Sequence, residues 1–123
     1  MSMLKNLIVL ATLGASSAAV AAPTHMSDTQ YLQLNRCRAL MASPELGGGD
    51  TKAIDAALKT EGRGRIDYIY DRGQQVQTDA ARAAHRAGGD SRAQMIAERD
   101  GTCQALVGSV TTAAAPAKGN TAN

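Results

Sequence analysis

The chain has 123 residues, 13 basic against 11 acidic side chains, three tyrosines and neither tryptophan nor phenylalanine. That length suits one small domain rather than two. A near-balanced charge with few rings supplies neither the electrostatic pull nor the stacking platforms of nucleic-acid binding, so no nucleic acid is expected as a partner.

Residues 1–21, MSMLKNLIVLATLGASSAAVA, place Lys5 before an apolar stretch from Leu7 to Leu13 and then a run of small residues. That order is the pattern of a secretory signal peptide. Ala19 and Ala21 occupy the small-residue positions and predict cleavage after Ala21; cleavage after Ala22 would leave Pro23 first. As a retained anchor the stretch is diluted by Thr12, Gly14, Ser16 and Ser17, so no stable membrane span is expected after processing. The expected location is exported, periplasmic or secreted, with residues 22–27 as a short lead-in.

From Asp28 to Ala42, DTQYLQLNRCRALMA sets Tyr31, Leu34, Cys37 and Met41 at spacings of three and four, with Leu40 beside them. This is the stripe of an amphipathic helix. Ser27 or Asp28 caps its start, and Pro44 with the glycines at 47–49 ends it. Asp50 is placed to cap a second helix over 51–62, which buries Ile54, Ala57 and Leu58 and pairs Asp55 with Lys59 at i, i+4. After Gly62 and Gly64 a third helix is expected over 66–87. Its Gly73 costs about 1 kcal/mol against alanine, which implies a bend or a close approach by a neighbour. Asp90 caps a fourth helix over 91–107, with Ile96, Cys103, Leu106 and Val107 near one face. From 109 to 123, small and polar residues without an apolar period predict a disordered tail.

The expected fold is all-α, a small four-helix bundle-like domain over 28–108. In up-down order its first and last helices are antiparallel neighbours, which brings Cys37 and Cys103 face to face. The core candidates are few and aliphatic: Leu34, Leu40, Met41, Ile54, Leu58, Ile66, Ile69, Val76, Met95, Ile96, Leu106 and Val107. Burying each gains about 1.5–3 kcal/mol, against about 1–2 kcal/mol of backbone entropy for every residue ordered. So thin a core needs a further constraint, and two cysteines in an exported chain predict a Cys37–Cys103 disulfide.

Catalytic patterns are sparse. The cysteines lack the Cys-x-x-Cys spacing of thiol-disulfide enzymes, and no Gly-x-Ser-x-Gly elbow is present. His25 and His85 are the only histidines, and His85 suits the surface near a helix C-terminus. The run GGGDTK at 47–52 lacks the phosphate-loop pattern and puts acidic Asp50 where a phosphate would sit. No cofactor motif is found and no internal metal cluster is expected. An amino terminus at Pro23 would let His25 join a square-planar Cu(II) or Ni(II) site, which cleavage after Ala21 removes because Pro23 then has no amide proton at position two.

The densest set of arginine and tyrosine is RGRIDYIYDR: Arg63, Arg65, Asp67, Tyr68, Tyr70, Asp71 and Arg72. Both residue types are enriched at interface hot spots, so these seven form the candidate binding face. The functional expectation is a non-catalytic exported binding or envelope-maintenance module for a protein or envelope component. The alternatives are a holdase of the bacterial envelope, a small enzyme and an amino-terminal metal binder. The architecture resembles that of acid-stress chaperones of the bacterial periplasm, with no shared motif.

Overall fold

Ser27 starts α1 (Asp28–Ala42) by a reciprocal cap: its Oγ accepts from the Gln30 amide at 3.2 Å while Gln30 Oε1 accepts from the Ser27 amide at 3.0 Å. At the other end Ser43 Oγ donates back to the Ala39 carbonyl. Pro44 then opens a single 3-10 turn (Pro44–Leu46) that buries Leu46. Gly47 and Gly48 leave that turn at φ 108° and 61°, a left-handed backbone that glycine adopts without steric cost. These elements belong to a computed structural model that describes residues 25–114. The signal peptide expected at 1–21 and residues 115–123 of the expected tail lie outside the described residues.

Asp50 Oδ1 accepts the Lys52 amide at 2.9 Å at the start of α2 (Lys52–Gly62), although the cap position itself falls one residue later than expected, on Thr51. Here α2 runs antiparallel to α1: Arg38 meets Asp55 at one end, and the Met26 amide reaches Glu61 at the other. The expected Asp55–Lys59 pair does not form. Both oxygens of Asp55 are taken, one by Arg38 across the helix pair at 3.0 Å and one by the Thr51 hydroxyl at 2.9 Å. An arginine from the facing helix outcompetes the neighbour on its own.

α3 (Asp67–Arg86) runs parallel to α1 and is its principal neighbour. Pairings rise together along both chains, with Tyr31 against Gly73, Asn35 to Gln77 at 2.8 Å, and Glu45 beyond the end of α1 to His85 at 2.7 Å. The first and third helices of an up-down bundle are parallel but normally lie on a diagonal. Here they touch because the inner face of α3 is made of Gly73, Ala80 and Ala84, all buried. Of the two roles open to Gly73, close approach is the one found: a Cβ there would stand 2.8 Å from Asn35 Nδ2.

The last segment begins earlier and runs further than its sequence pattern suggests. α4 (Gly89–Glu98) passes through a π-helical turn (Arg99–Cys103) into α5 (Gln104–Ala114). Helix thus covers the first six residues of the stretch expected to be a disordered tail, SVTTAA, which continues α5 without presenting a large apolar period. This segment does not lie alongside α1 as an antiparallel neighbour. It crosses α1 at Glu98 and the π turn, while α5 packs on α2. At the crossing, Arg36 grips both oxygens of Glu98 at 2.7 and 2.9 Å, and Gln33 adds a third bond at 3.3 Å. Donation from Arg36 holds the Glu98 carboxyl below its ordinary range and raises the Arg36 guanidinium in turn. Arg99 Nη1 donates to the Leu46 carbonyl and fastens the π turn over the 3-10 turn.

The core gathers Leu34, Leu40, Leu46, Ile54 and Ala84 around the two cysteines, closed by Met41, Leu58, Met95, Ile96, Leu106 and Val107. Ile66 is a correction: it stands before the first residue of α3 and is 68% exposed rather than core. Among the described residues no helix is long and apolar enough to cross a membrane.

Candidate functional site

Cys37, in the third turn of α1, and Cys103, ending the π turn, form the expected disulfide, with Cα atoms 5.3 Å apart and both residues fully buried. Closing it in the middle of the apolar cluster makes it part of the core. No thiol remains free among the described residues.

The arginine-tyrosine strip does not present one surface. Arg65 turns inward, its side chain only 12% exposed. It donates to Asp28 Oδ1 and the Met26 carbonyl, each at 2.5 Å, and to the Glu61 carbonyl and carboxylate, while its guanidinium carbon lies 5.0 Å from the Tyr31 ring centroid. Such a fork with a stacked face is a role that only arginine fills. Tyr68 and Tyr70 point to different sides, because two residues at 100° each put them 160° apart around α3. Tyr68, 73% exposed, shares its side with Asp71 and Arg72. Arg72 donates to Gln75 at 2.8 Å, whereas Asp67 and Asp71 are exposed. Composition could not tell which of these side chains the fold consumes, and Arg65 is one of them.

What the fold does bring together is Tyr70 and Arg63 with residues of α1 and α2. They border a recess of about 370 Å³. Tyr31 and Asn35 of α1 form its floor, Leu58 and the Tyr70 ring its apolar walls, and Lys59 and Arg63 its rim. Asn35, fully buried, is spent: its Nδ2 donates to the Tyr31 carbonyl at 2.9 Å and its Oδ1 accepts from Gln77. Tyr31 is different. The residue is 1% exposed, yet its hydroxyl makes no hydrogen bond within the described residues. Every fully enclosed side-chain polar atom there is satisfied, so this hydroxyl must open to the recess. It lies beside Gly62, where a Cβ would be 3.2 Å from Oη and 3.6 Å from the Tyr70 ring. Sequence reading placed Tyr31 in the core stripe and missed its polar end.

A second recess, about 400 Å³, lies where α1 meets α3 beyond Ala39. Its polar groups are already engaged: Arg38 with Asp55, Glu45 with His85, Ser43 with the Ala39 carbonyl and Gln77 with Asn35. The His85 bond holds the Glu45 carboxyl below its ordinary range. It reads as a seam between helices.

Among the described residues no three histidine, cysteine, aspartate or glutamate side chains are placed to hold a metal ion. The amino-terminal copper or nickel arrangement depends on residues 22–24, outside the described residues. No protein family, curated protein or solved structure matches the chain.

Proposed function

We propose that the chain is a non-catalytic binding domain of a non-reducing compartment, exported to the periplasm or beyond, whose ligand enters the recess between α1, α2 and α3. The observation carrying this reading is the Tyr31 hydroxyl, belonging to a buried residue, without a partner among the described residues, and bordering a recess of ligand size. Open to the recess, this hydroxyl is available to donate to a ligand oxygen. The disulfide supports the compartment, since such bonds persist where thiols are not kept reduced.

The test is a nuclear magnetic resonance titration with residue-sized probes, the N-acetyl amino acids and their carboxamides. Amide shifts are expected to concentrate at residues 31–35, 58–63 and 70–74, and to vanish in Gly62→Val, whose side chain would fill the recess. Gly62→Ala is the milder control for folding. Shifts scattered over the surface, or unchanged in a folded Gly62→Val protein, overturn the assignment.

A second reading, the envelope holdase, is favoured by a separate observation: several ties between elements depend on a carboxylate, with Glu98 on Arg36, Asp28 and Glu61 on Arg65, and Glu45 on His85. Glu98 and Glu45 have lowered pKa values in the folded state. Their contribution is therefore present above the unfolded carboxylate pKa of about 4.3 and is lost as pH falls through the lower folded values. Glu98→Gln is expected to flatten the acid limb of a stability-against-pH curve while changing neutral stability by about 1 kcal/mol. The holdase additionally requires apolar-dye binding and client protection at low pH with the disulfide intact. A native near-ultraviolet spectrum at pH 2 counts against it.

A further inference from the structure

We infer that the recess between α1, α2 and α3 takes a carboxylate carried on an apolar body of about one side chain in size, as presented by a free small acid or by the last residue of a peptide. This rests on the binding-domain reading and adds the chemistry of the ligand.

Charge is the first argument. Lys59 and Arg63 stand on the rim and no acidic residue lines the recess. Five arginines of the described chain, Arg36, Arg38, Arg65, Arg82 and Arg99, are engaged with carboxylates, whereas within the described residues neither Lys59 nor Arg63 is. The second argument is the donor. The Tyr31 ring is held in place, because Arg65 covers its face and Gly73 leaves room for its edge, with a Cβ at 73 standing only 3.1 Å from Cε1. A phenol opening to a recess whose rim carries two cations is complementary to a carboxylate oxygen.

The walls decide what carries the anion. Leu58 and the Tyr70 ring, the latter 46% exposed, would stay wet around a bare inorganic anion, and covering them favours an aromatic or aliphatic body. At about 370 Å³ the recess lies near the small end of ligand sites, which run from roughly 300 to 1,000 Å³. Its place at the end of α2, where Gly62 is the last helical residue, adds a discrimination. The carbonyl end of a helix opposes negative charge, so a dianionic phosphate is penalised more than a monoanionic carboxylate.

The experiment is calorimetric titration at pH 7 of the folded, oxidised protein with N-acetyl-phenylalanine, its carboxamide, acetyl-Gly-Gly-Phe and inorganic phosphate. The acid or the peptide is expected to bind, with the carboxamide at least about ten-fold weaker. Tyr31→Phe removes one hydroxyl and keeps the ring beneath Arg65; it is expected to weaken the acid about ten-fold with an unchanged melting midpoint. The double variant Lys59→Gln/Arg63→Gln is expected to weaken the acid and leave the carboxamide unaffected. Peptide binding above that of the acid assigns a chain terminus as the source; equal binding assigns a free acid. Equal affinity for acid and carboxamide overturns the carboxylate while leaving the recess a binding site. Phosphate binding as tight as the acid overturns the apolar body. Failure of both acid and peptide to bind overturns the inference, and the broader probe panel with Gly62→Val then decides the binding-domain reading separately.

Discussion

Replacing Cys37 and Cys103 together by serine is expected to lower the thermal midpoint by about 15–30 °C. The bridge closes a loop across 66 residues of sequence, for which the chain-entropy estimate is about 4 kcal/mol. Against a domain stability of roughly 5–15 kcal/mol, such a loss approaches the whole margin. The structure adds a second cost. Both positions are fully buried within the apolar cluster, so serine hydroxyls would lose water without an assured partner. The paired alanine variant separates that cost from the loss of the crosslink, and reduction of the unmodified protein should reproduce the crosslink part alone. A midpoint that does not move in either variant, or two titratable thiols in the native protein, would show that the bridge is not holding the fold.

Gly73→Ala is the second large effect, and here two magnitudes oppose each other. Helix propensity favours alanine by about 1 kcal/mol. Packing opposes it, because the new methyl would stand 2.8 Å from Asn35 Nδ2 and 3.1 Å from both Asn35 Cγ and Tyr31 Cε1. Asn35 cannot swing aside freely: it is fully buried and bonded at both ends of its amide, to the Tyr31 carbonyl and to Gln77. Overpacking of this kind costs about 1–3 kcal/mol, so the expected sum is destabilising, read as a lower midpoint in denaturant or heat. Asn35→Ala supplies the cycle. Alone it opens a cavity and orphans Gln77; combined with Gly73→Ala it removes the two Asn35 contacts and leaves only the one with Tyr31 Cε1, so the double variant should lose less than the two singles added, by at least about 0.5 kcal/mol. A Gly73→Ala protein more stable than its parent would mean that α1 and α3 are not in close contact at this point.

Much of the helical framework is legible in the residues themselves. The stripe of Tyr31, Leu34, Cys37 and Met41 gives α1 its bounds, Ser27 its cap, and the scarcity of bulky side chains the need for the bridge. What escapes is tertiary choice. Local spacing pairs Asp55 with Lys59, but only the assembled fold offers Arg38. Alanines at 80 and 84 look too small for a core, yet small residues let α3 lie against α1. The candidate site divides in the same way: Arg63 and Tyr70 could be named from composition, while Arg65 is drawn inward by charges 37 and 4 residues away. Tyr31 and Asn35 give no polar signal in a helical stripe, because what distinguishes them is which of their atoms find partners.

The wider turn from Arg99 to Cys103 sets a strict rule for the chain's length. Each residue advances a helix by about 100°, and the covalent bond to Cys37 needs Cys103 to arrive on the inner side while Glu98, five positions earlier, still faces Arg36. Dropping one amino acid between them would regularise the coil and swing one of these two anchors out of reach. Insertions and deletions in this stretch are therefore penalised even at Asp100, Gly101 and Thr102, which are exposed and individually replaceable.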